Sequence, residues 1–504
     1  MVARRRSAGA ALLNRTLAED VMSRHRLALL ALALALVGCA TNPVTGAHQF
    51  SLVSSAQEEQ IGREGFPAVV AEYGTYGDPA LQAYVDTVGH RVARVSHLPN
   101  LAWKFTLLDD PTVNAFAMPG GYIYVTRGIL AHLNSEAQLA GVLGHEIGHV
   151  TARHTANRMT QQQLAGLGLG LASAFSPSLA RYSDVAQQGL GLMFLKYSRD
   201  DETQADELGV TYATAAGYDP REIPSTYAML KRVSDRAGQR LPGYLATHPD
   251  PGNREERTRG LAQKAVVGKT GLAVHGRAYV QKMDGVVFGK DPRQGFLESN
   301  RYYHPQLRFQ MSFPEGWKVQ DSRTAVRAVL GEDQPTAQME LTLMQKNDFT
   351  PEQAVAELQR SGRISGARGS SETIGGFPAW VGHVAVPGDQ GAVSTLTAVL
   401  VRKTPELMFE VVGKSGEPGD AADEQILAAA RSFRELADPA RLGVQPDRVK
   451  VVAARHAMDF QGLVQSLGAQ AANEEDTEIL NNAHGDQMVN ANELVKIVVA
   501  GRKR

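Results

Sequence analysis

Cysteine is almost missing from this chain: its 504 residues contain one, Cys39. An intramolecular disulfide and a cluster of thiolate metal ligands are therefore excluded. Aromatic residues are scarce at 6%, too few for the stacking platforms that bind single-stranded nucleic acid. Neither sign of charge dominates, since 52 Lys and Arg face 53 Asp and Glu. Composition thus carries no electrostatic footprint of a nucleic-acid binder. The N-terminal apolar run, Leu27 to Val37, has 11 residues, short of the roughly 20 that span a bilayer. What is present, 43% apolar and 21% charged residues, is ordinary for globular protein, and the length implies more than one domain.

The short apolar run still has a use. Arg24 and Arg26 flank it, as in the basic region of a signal peptide. It ends in "LVGC", with Gly38 before Cys39. This resembles the lipobox of bacterial lipoproteins, whose cysteine is acylated and becomes the mature N-terminus. The resemblance implies a signal peptide over 1–38, with Met22 as an alternative start, and lipidation at Cys39. A plain signal peptide or a short anchor is the competing reading. Ala40 follows the cysteine, so the aspartate that retains lipoproteins at the inner membrane of enteric bacteria is absent. The implied location is the periplasmic face of the outer membrane of a Gram-negative bacterium.

Downstream, "DPALQAYVDTVGHRVARVS" places Leu81, Tyr84, Val85, Val88 and Val92 on one helical face. "LAWKFTLLDD" and "YIYVTRGIL" read as strands, with "PTVNAFAMPGG" between them. Ser135 and Gln138 open a further helix as a capping box. Residues 161 to 195, rich in Leu, Gly and Ala, read as a soluble helical pair with small-residue packing. Another helix starts near Asp200 and stops at "AAGYDP". From about 300 the pattern changes to alternating strands such as "LRFQMSF", with helices at "TPEQAVAELQR" and "DEQILAAARSFREL". The expected fold is therefore α+β and multidomain. It has a mainly helical domain with a small sheet (39–290), an α+β accessory domain (301–437) and a small C-terminal module (446–504).

The chemistry concentrates in "VLGHEIGHVTARH", residues 142–154. His145 and His149 are one turn apart on a helix, separated by about 40° around its axis. Both imidazoles can face one zinc ion, and Glu146 is placed to act as general base toward a metal-activated water. A catalytic zinc takes three protein ligands and keeps one position open. A metzincin arrangement needs a glycine at 152 and a histidine at 155, but the chain has Ala152 and Thr155. His154 lies nine positions past His145, about 180° round a continuous helix, and reads as a structural or surface histidine. "YSRDDETQADELG" offers Glu202 as ligand. One turn on, Asp206 can accept the N–H of a ligating histidine. Asp200, Asp201 and Glu207 read as solvated helix charges.

"HEIGH" followed by "SRDDETQAD", with "NAFAMPGGYIYVTRGIL", "CATNPVTG" and "THPDPGNR", resembles the gluzincin family of the HtpX membrane protease, the CAAX prenyl endopeptidase and the BepA-like periplasmic proteases. The resemblance covers about 39 to 290. It implies zinc-dependent endoproteolysis with one Zn2+ per chain, held by His145, His149 and Glu202, with Glu146 as base. It further implies substrate binding at an edge strand, where Asn114 sits. Asn114 could equally cap a turn. His248 and Arg254 are candidate hydrogen-bond donors to the oxyanion. His248 could instead close the fourth zinc position, and a Pro-flanked loop with a salt-bridged arginine is the plain alternative. The final segment, "ILNNAHGDQMVNANELVKIV", resembles a LysM module only loosely, because Asn490-Ala491-Asn492 stands where a glycine is usual. The implied partners are protein or peptide substrates, the membrane through Cys39, and peptidoglycan through the last module. Two other classes compete: a latent or inactive protease serving as an assembly factor or chaperone, and a cell-wall binding protein.

Overall fold

The computed structural model describes residues 39–170, 196–237, 248, 252–331, 335–344, 348–387 and 393–501. Residues 1–38, where a signal peptide is expected, and the part of the Leu/Gly/Ala-rich stretch beyond Gly170 lie outside the described residues. Among those described, no helix is long and apolar enough to cross a membrane.

The chain begins with two short antiparallel strands, β1 (Cys39–Thr41) and β2 (His48–Phe50). Helices α1 (Ser55–Tyr73) and α2 (Pro79–Ala93) follow. Ser54 and Gln57 close a capping box on α1, and Asp78 caps α2 ahead of Pro79. Next come β3 (Lys104–Leu108), β4 (Ala115–Met118) and β5 (Tyr122–Thr126), in sheet order β3-β5-β4. β3 runs parallel to β5 and β4 antiparallel to it, so β4 is an edge strand.

"YIYVTRGIL" is not one strand. Thr126 ends β5 because its hydroxyl accepts the amide of Ile129 and caps helix α3 (Arg127–His132). α4 (Glu136–Thr151) carries the histidines, α5 (His154–Gly170) follows, and α6 (Arg199–Ala215) supplies the acidic residues. α7 (Ile223–Ala237), α8 (Gly252–Ala265) and α9 (Gly276–Lys282) complete the helical part. Its core is built around α4, whose faces are buried almost throughout.

The next region is sheet-rich. β6 (Phe296–Glu298), β7 (Arg301–His304) and β8 (Phe309–Ser312) form a small sheet that β16 (Arg434–Glu435) joins beside β8. A larger antiparallel sheet has the order β12-β13-β14-β15-β11-β10-β9. Its strands are β9 (Lys318–Asp321), β10 (Ala325–Leu330), β11 (Ala337–Leu343), β12 (Ser365–Ile374), β13 (Phe377–Pro387), β14 (Val393–Thr404) and β15 (Leu407–Lys414). One face packs Ala354 and Val355 of α10 (Pro351–Arg360) against Trp380 and Leu400. The other packs Ile426 of α11 (Ala421–Arg431) with Phe309, Phe409 and Phe433. Thus "DEQILAAARSFREL" is a helix only to Arg431 and then turns into β16.

A short helix α12 (Pro439–Leu442) leads to the last module: β17 (Arg448–Ala453), β18 (Met458–Asp459), α13 (Phe460–Ser466), α14 (Glu474–Asn481), β19 (Met488–Val489) and β20 (Leu494–Val499). β17 and β20 pair antiparallel, with α13 and α14 between them in sequence. Asn492 has φ 67°, the left-handed turn for which a glycine is usual. Nothing observed identifies the module as LysM.

The module is fused to the helical core. Val449, Ile479, Leu480 and Val498 belong to the same buried cluster as α4. Lys496 is fully buried (0% exposed) and donates to the carbonyls of Ala131 (2.6 Å) and Leu133 (2.8 Å). Those carbonyls close the C-terminal end of α3, and burial pushes the Lys496 amine well below its usual range. Arg232 of α7 adds bonds to Glu478 (2.8 Å) and the Ala483 carbonyl (2.7 Å). Replacing Lys496 by Met keeps the aliphatic stem but strands two buried carbonyls, at a cost of about 1–3 kcal/mol each. The Lys496→Met chain is expected to melt at a lower temperature in scanning calorimetry. An unchanged or raised melting temperature contradicts this.

Candidate active site

The site forms where α4 and α6 cross at close range. A Cβ on Gly144 would lie 3.0 Å from the Gly209 carbonyl, and one on Gly148 would lie 3.1 Å from the Leu208 Cβ. Gly144 and Gly148 are one turn apart, so α4 presents a groove of backbone to α6. Beside that groove α4 carries His145, Glu146 and His149, and the two histidines come within reach of Glu202 and Asp206 of α6.

Ser198 and Asp201 cap the start of α6, placing Glu202 in its first turn. Glu202 Oε1 lies 3.5 Å from His149 Nε2, and Glu202 Oε2 lies 3.6 Å from His145 Nε2. The two Nε2 atoms are 3.0 Å apart. His248 joins them: its Nδ1 is 2.9 Å from Glu202 Oε1 and 3.3 Å from His145 Nε2. One donor atom from each of His145, His149, Glu202 and His248 falls within 4.8 Å of the others, and all four residues are buried. The structure therefore brings the expected His145, His149 and Glu202 together and adds His248.

This donor set fits a zinc ion: imidazoles and a carboxylate converge, and their mutual contacts are the crowded kind that a shared cation relieves. Glu146 lies beside the set with 0% exposure. Among the described residues neither of its carboxylate oxygens has a hydrogen-bond partner, and His248 Nε2 is 3.6 Å away. Burial pushes the Glu146 carboxyl above the usual carboxylate range. A carboxylate so placed is suited to accept and return a proton.

The outer contacts are charged. Asp206, one turn beyond Glu202, lies 3.1 Å from His145 Nδ1. Arg254 pairs with Asp206 (Nη2 to Oδ1, 2.6 Å) and with Glu202 (Nη1 to Oε2, 2.7 Å), and it stacks 4.4 Å over Tyr227. Arg257 also pairs with Asp206. Burial opposes the charges of Asp206 and Glu202. Arg254 with His145 outweighs it at Asp206, as His248 with Arg254 does at Glu202, so both stay ionised below their usual range. The Arg254 guanidinium thus faces two carboxylates, a placement that favours the salt-bridged alternative over an oxyanion donor.

Four residues at the site escaped the sequence reading or were misassigned by it. Tyr197 stacks on His149, with centroids 3.8 Å apart, and its hydroxyl meets Thr155 Oγ1 at 3.0 Å. Tyr227 donates to Asp206 (2.6 Å). His154 is neither on the surface nor opposite the site. It is 2% exposed, with Nδ1 2.9 Å from His149 Nδ1. Asp201, read as solvated, caps α6 and pairs with Arg158 at 2.6 Å. Asn114 lies just before β4, and its Oδ1 is buried without a hydrogen-bond partner among the described residues. β4 packs against α4.

A helix carrying His-Glu-x-x-His, crossed by a second helix that returns a glutamate, defines a metallopeptidase domain. Residues 79–262 match peptidase family M48, so the chain carries a domain of that family. It is 37% identical over 178 residues to the mitochondrial metalloendopeptidase OMA1 of Arabidopsis thaliana, covering 35% of this chain and 34% of that one. It is 31% identical over 215 residues to mitochondrial metalloendopeptidase OMA1 of Schizosaccharomyces pombe, covering 42% and 63%. It is 29% identical over 236 residues to the beta-barrel assembly-enhancing protease of Escherichia coli K12, covering 44% and 47%. The matches thus span between a third and two thirds of these relatives.

The helix crossing is testable. In Gly144→Val a side chain meets the Gly209 backbone, and α6 must move off α4. Zinc retained after dialysis should fall well below that of the unaltered chain while helical circular dichroism persists. Unchanged zinc content contradicts the dependence on close approach.

Proposed function

We propose that this protein is a zinc-dependent endopeptidase that is lipid-anchored through Cys39 on the periplasmic face of the outer membrane. There it hydrolyses envelope proteins in protein quality control. The observation that carries this reading is the convergence of His145, His149 and Glu202 beside the buried carboxylate of Glu146, which has no hydrogen-bond partner among the described residues. The names of its relatives, metalloendopeptidase and beta-barrel assembly-enhancing protease, support it. On this reading 39–290 is the catalytic domain, 301–437 an accessory domain and 446–504 a module that braces the catalytic domain or meets peptidoglycan.

His145, His149 and Glu202 would hold one zinc ion, which supplies the Lewis acidity that polarises the scissile carbonyl and acidifies water. Glu146 takes the proton of the attacking water and passes it to the leaving amine. Asp206 receives the Nδ1–H of His145, which leaves Nε2 free to ligate. Arg254 keeps Asp206 and Glu202 ionised. The outer edge of β4 can take a substrate strand by main-chain pairing, with Asn114 Oδ1 as an added acceptor.

His248 favours a second state. With 0% exposure and a place among the donors, it can close the position that catalysis needs open. That would make the resting protein latent and leave it an assembly-factor role.

Two variants test the proposal. Glu146→Gln should keep one equivalent of zinc and lose about 10²-fold or more of its activity on casein or a misfolded outer-membrane protein. Equal cleavage by both forms, or none by either, at full zinc overturns the peptidase reading. His248→Ala should cleave faster if His248 holds the enzyme latent. A large fall at retained zinc assigns it to oxyanion binding, and no change leaves it structural.

A further inference from the structure

His154 is the group that the catalytic scheme does not use, and its surroundings dictate one proton arrangement. The helix α4 ends at Thr151, and Arg153 adopts φ 60°, a left-handed turn that a non-glycine residue rarely holds. Arg153 is held there by Glu58 (2.8 Å) and the Val53 carbonyl (2.7 Å). The turn swings His154, first residue of α5, back beneath α4. Its ring stands edge-on to that of His149, with centroids 5.0 Å apart and an angle of 74°.

The two rings meet through nitrogen. His149 Nδ1 and His154 Nδ1 are 2.9 Å apart, and His154 Nε2 is 3.0 Å from Gln204 Oε1. A hydrogen bond between two imidazole nitrogens needs one proton and one lone pair. His149 turns its Nε2 toward Glu202 and His145, so a metal ligated there takes the Nε2 lone pair. The His149 proton then sits on Nδ1. His154 must accept it at Nδ1, which places the His154 proton on Nε2, pointing at the Gln204 carbonyl oxygen.

We infer that His154 is a positioning residue for the metal ligand His149. It acts as a neutral acceptor fixed in its Nε2–H tautomer by Gln204, and the inference rests on the zinc-site reading above. The two ligating histidines are then oriented differently: His145 by the anion Asp206, His149 by an uncharged imidazole. A carboxylate at both places would add a negative charge to a pocket that already holds Glu146, Glu202 and Asp206. The neutral acceptor orients the ligand without that charge.

The test compares variants that separate hydrogen bonding from bulk, with zinc affinity measured by chelator competition on the full chain. His154→Phe keeps the volume and loses the acceptor, and its zinc Kd should rise about 10–100-fold. His154→Asn is smaller, but its amide oxygen falls near the imidazole Nδ1 and should hold affinity close to that of the unaltered chain. Gln204→Leu should weaken zinc less than His154→Phe. If His154→Phe binds zinc as well as the unaltered chain, or His154→Asn binds as poorly as His154→Phe, the inference is overturned. Should the variants not fold, ring 15N–1H correlation spectra of the zinc-loaded, histidine-labelled parent decide it. His154 is expected as the Nε2–H tautomer, and the Nδ1–H tautomer contradicts it. A parent chain that binds no zinc overturns the peptidase proposal itself. A parent with full zinc and insensitive variants overturns only this inference.

Discussion

Two helices, α4 and α6, must cross with almost nothing between their backbones, and everything at the site depends on that closeness. Gly144 and Gly148 on one helix meet Leu208 and Gly209 on the other. Any larger residue at the crossing would carry Glu202 away from His145 and His149. Close packing of this kind stores precision cheaply, because interiors at crystal-like density resist small displacements. The acidic and basic groups around the crossing then work on a fixed frame. Asp206 is held between His145, Arg254 and Arg257, and Arg254 reaches across to Glu202. Removing one partner from such a buried network leaves an uncompensated charge, which is why these residues act as a unit.

Legibility from sequence followed range. The spacing of His145, Glu146 and His149 is readable because a helix repeats over short distances, and those residues share one site. The pairing with Glu202, far along the chain, has no periodic signature. It was indicated by the need for a third ligand together with two acidic residues one helical turn apart, Glu202 and Asp206, and the resemblance of whole stretches agreed. His154 was misread for a definite reason: projecting it round the axis assumes that α4 continues, whereas Arg153 leaves the helical region of backbone space. The same assumption made "YIYVTRGIL" a strand to its end, although the Thr126 side chain stops it midway. In both cases one residue outweighed the pattern of its neighbours, Thr126 through a local cap and Arg153 through bonds to the distant Glu58 and Val53.

The mixture of helices and sheets was legible from alternation and capping signals. How the parts touch was not. The bond from Lys496 to the end of α3 spans most of the chain, and a lone lysine in "ELVKIV" looks like an ordinary strand residue. Its burial follows from the company of Leu480 and Val498 in the core that also holds α4. Sequence patterns describe which face of an element is apolar, not which distant element will cover it.

That last contact bears on the order in which the molecule is completed. Chains are made from one end to the other, and the cluster around the histidine helix takes its final residues from Val449, Ile479, Leu480 and Val498. Until they arrive, the carbonyls that close α3, just upstream of α4, lack the Lys496 amine, and part of the core faces solvent. The histidine helix is therefore among the first parts to be synthesised and among the last to be sealed.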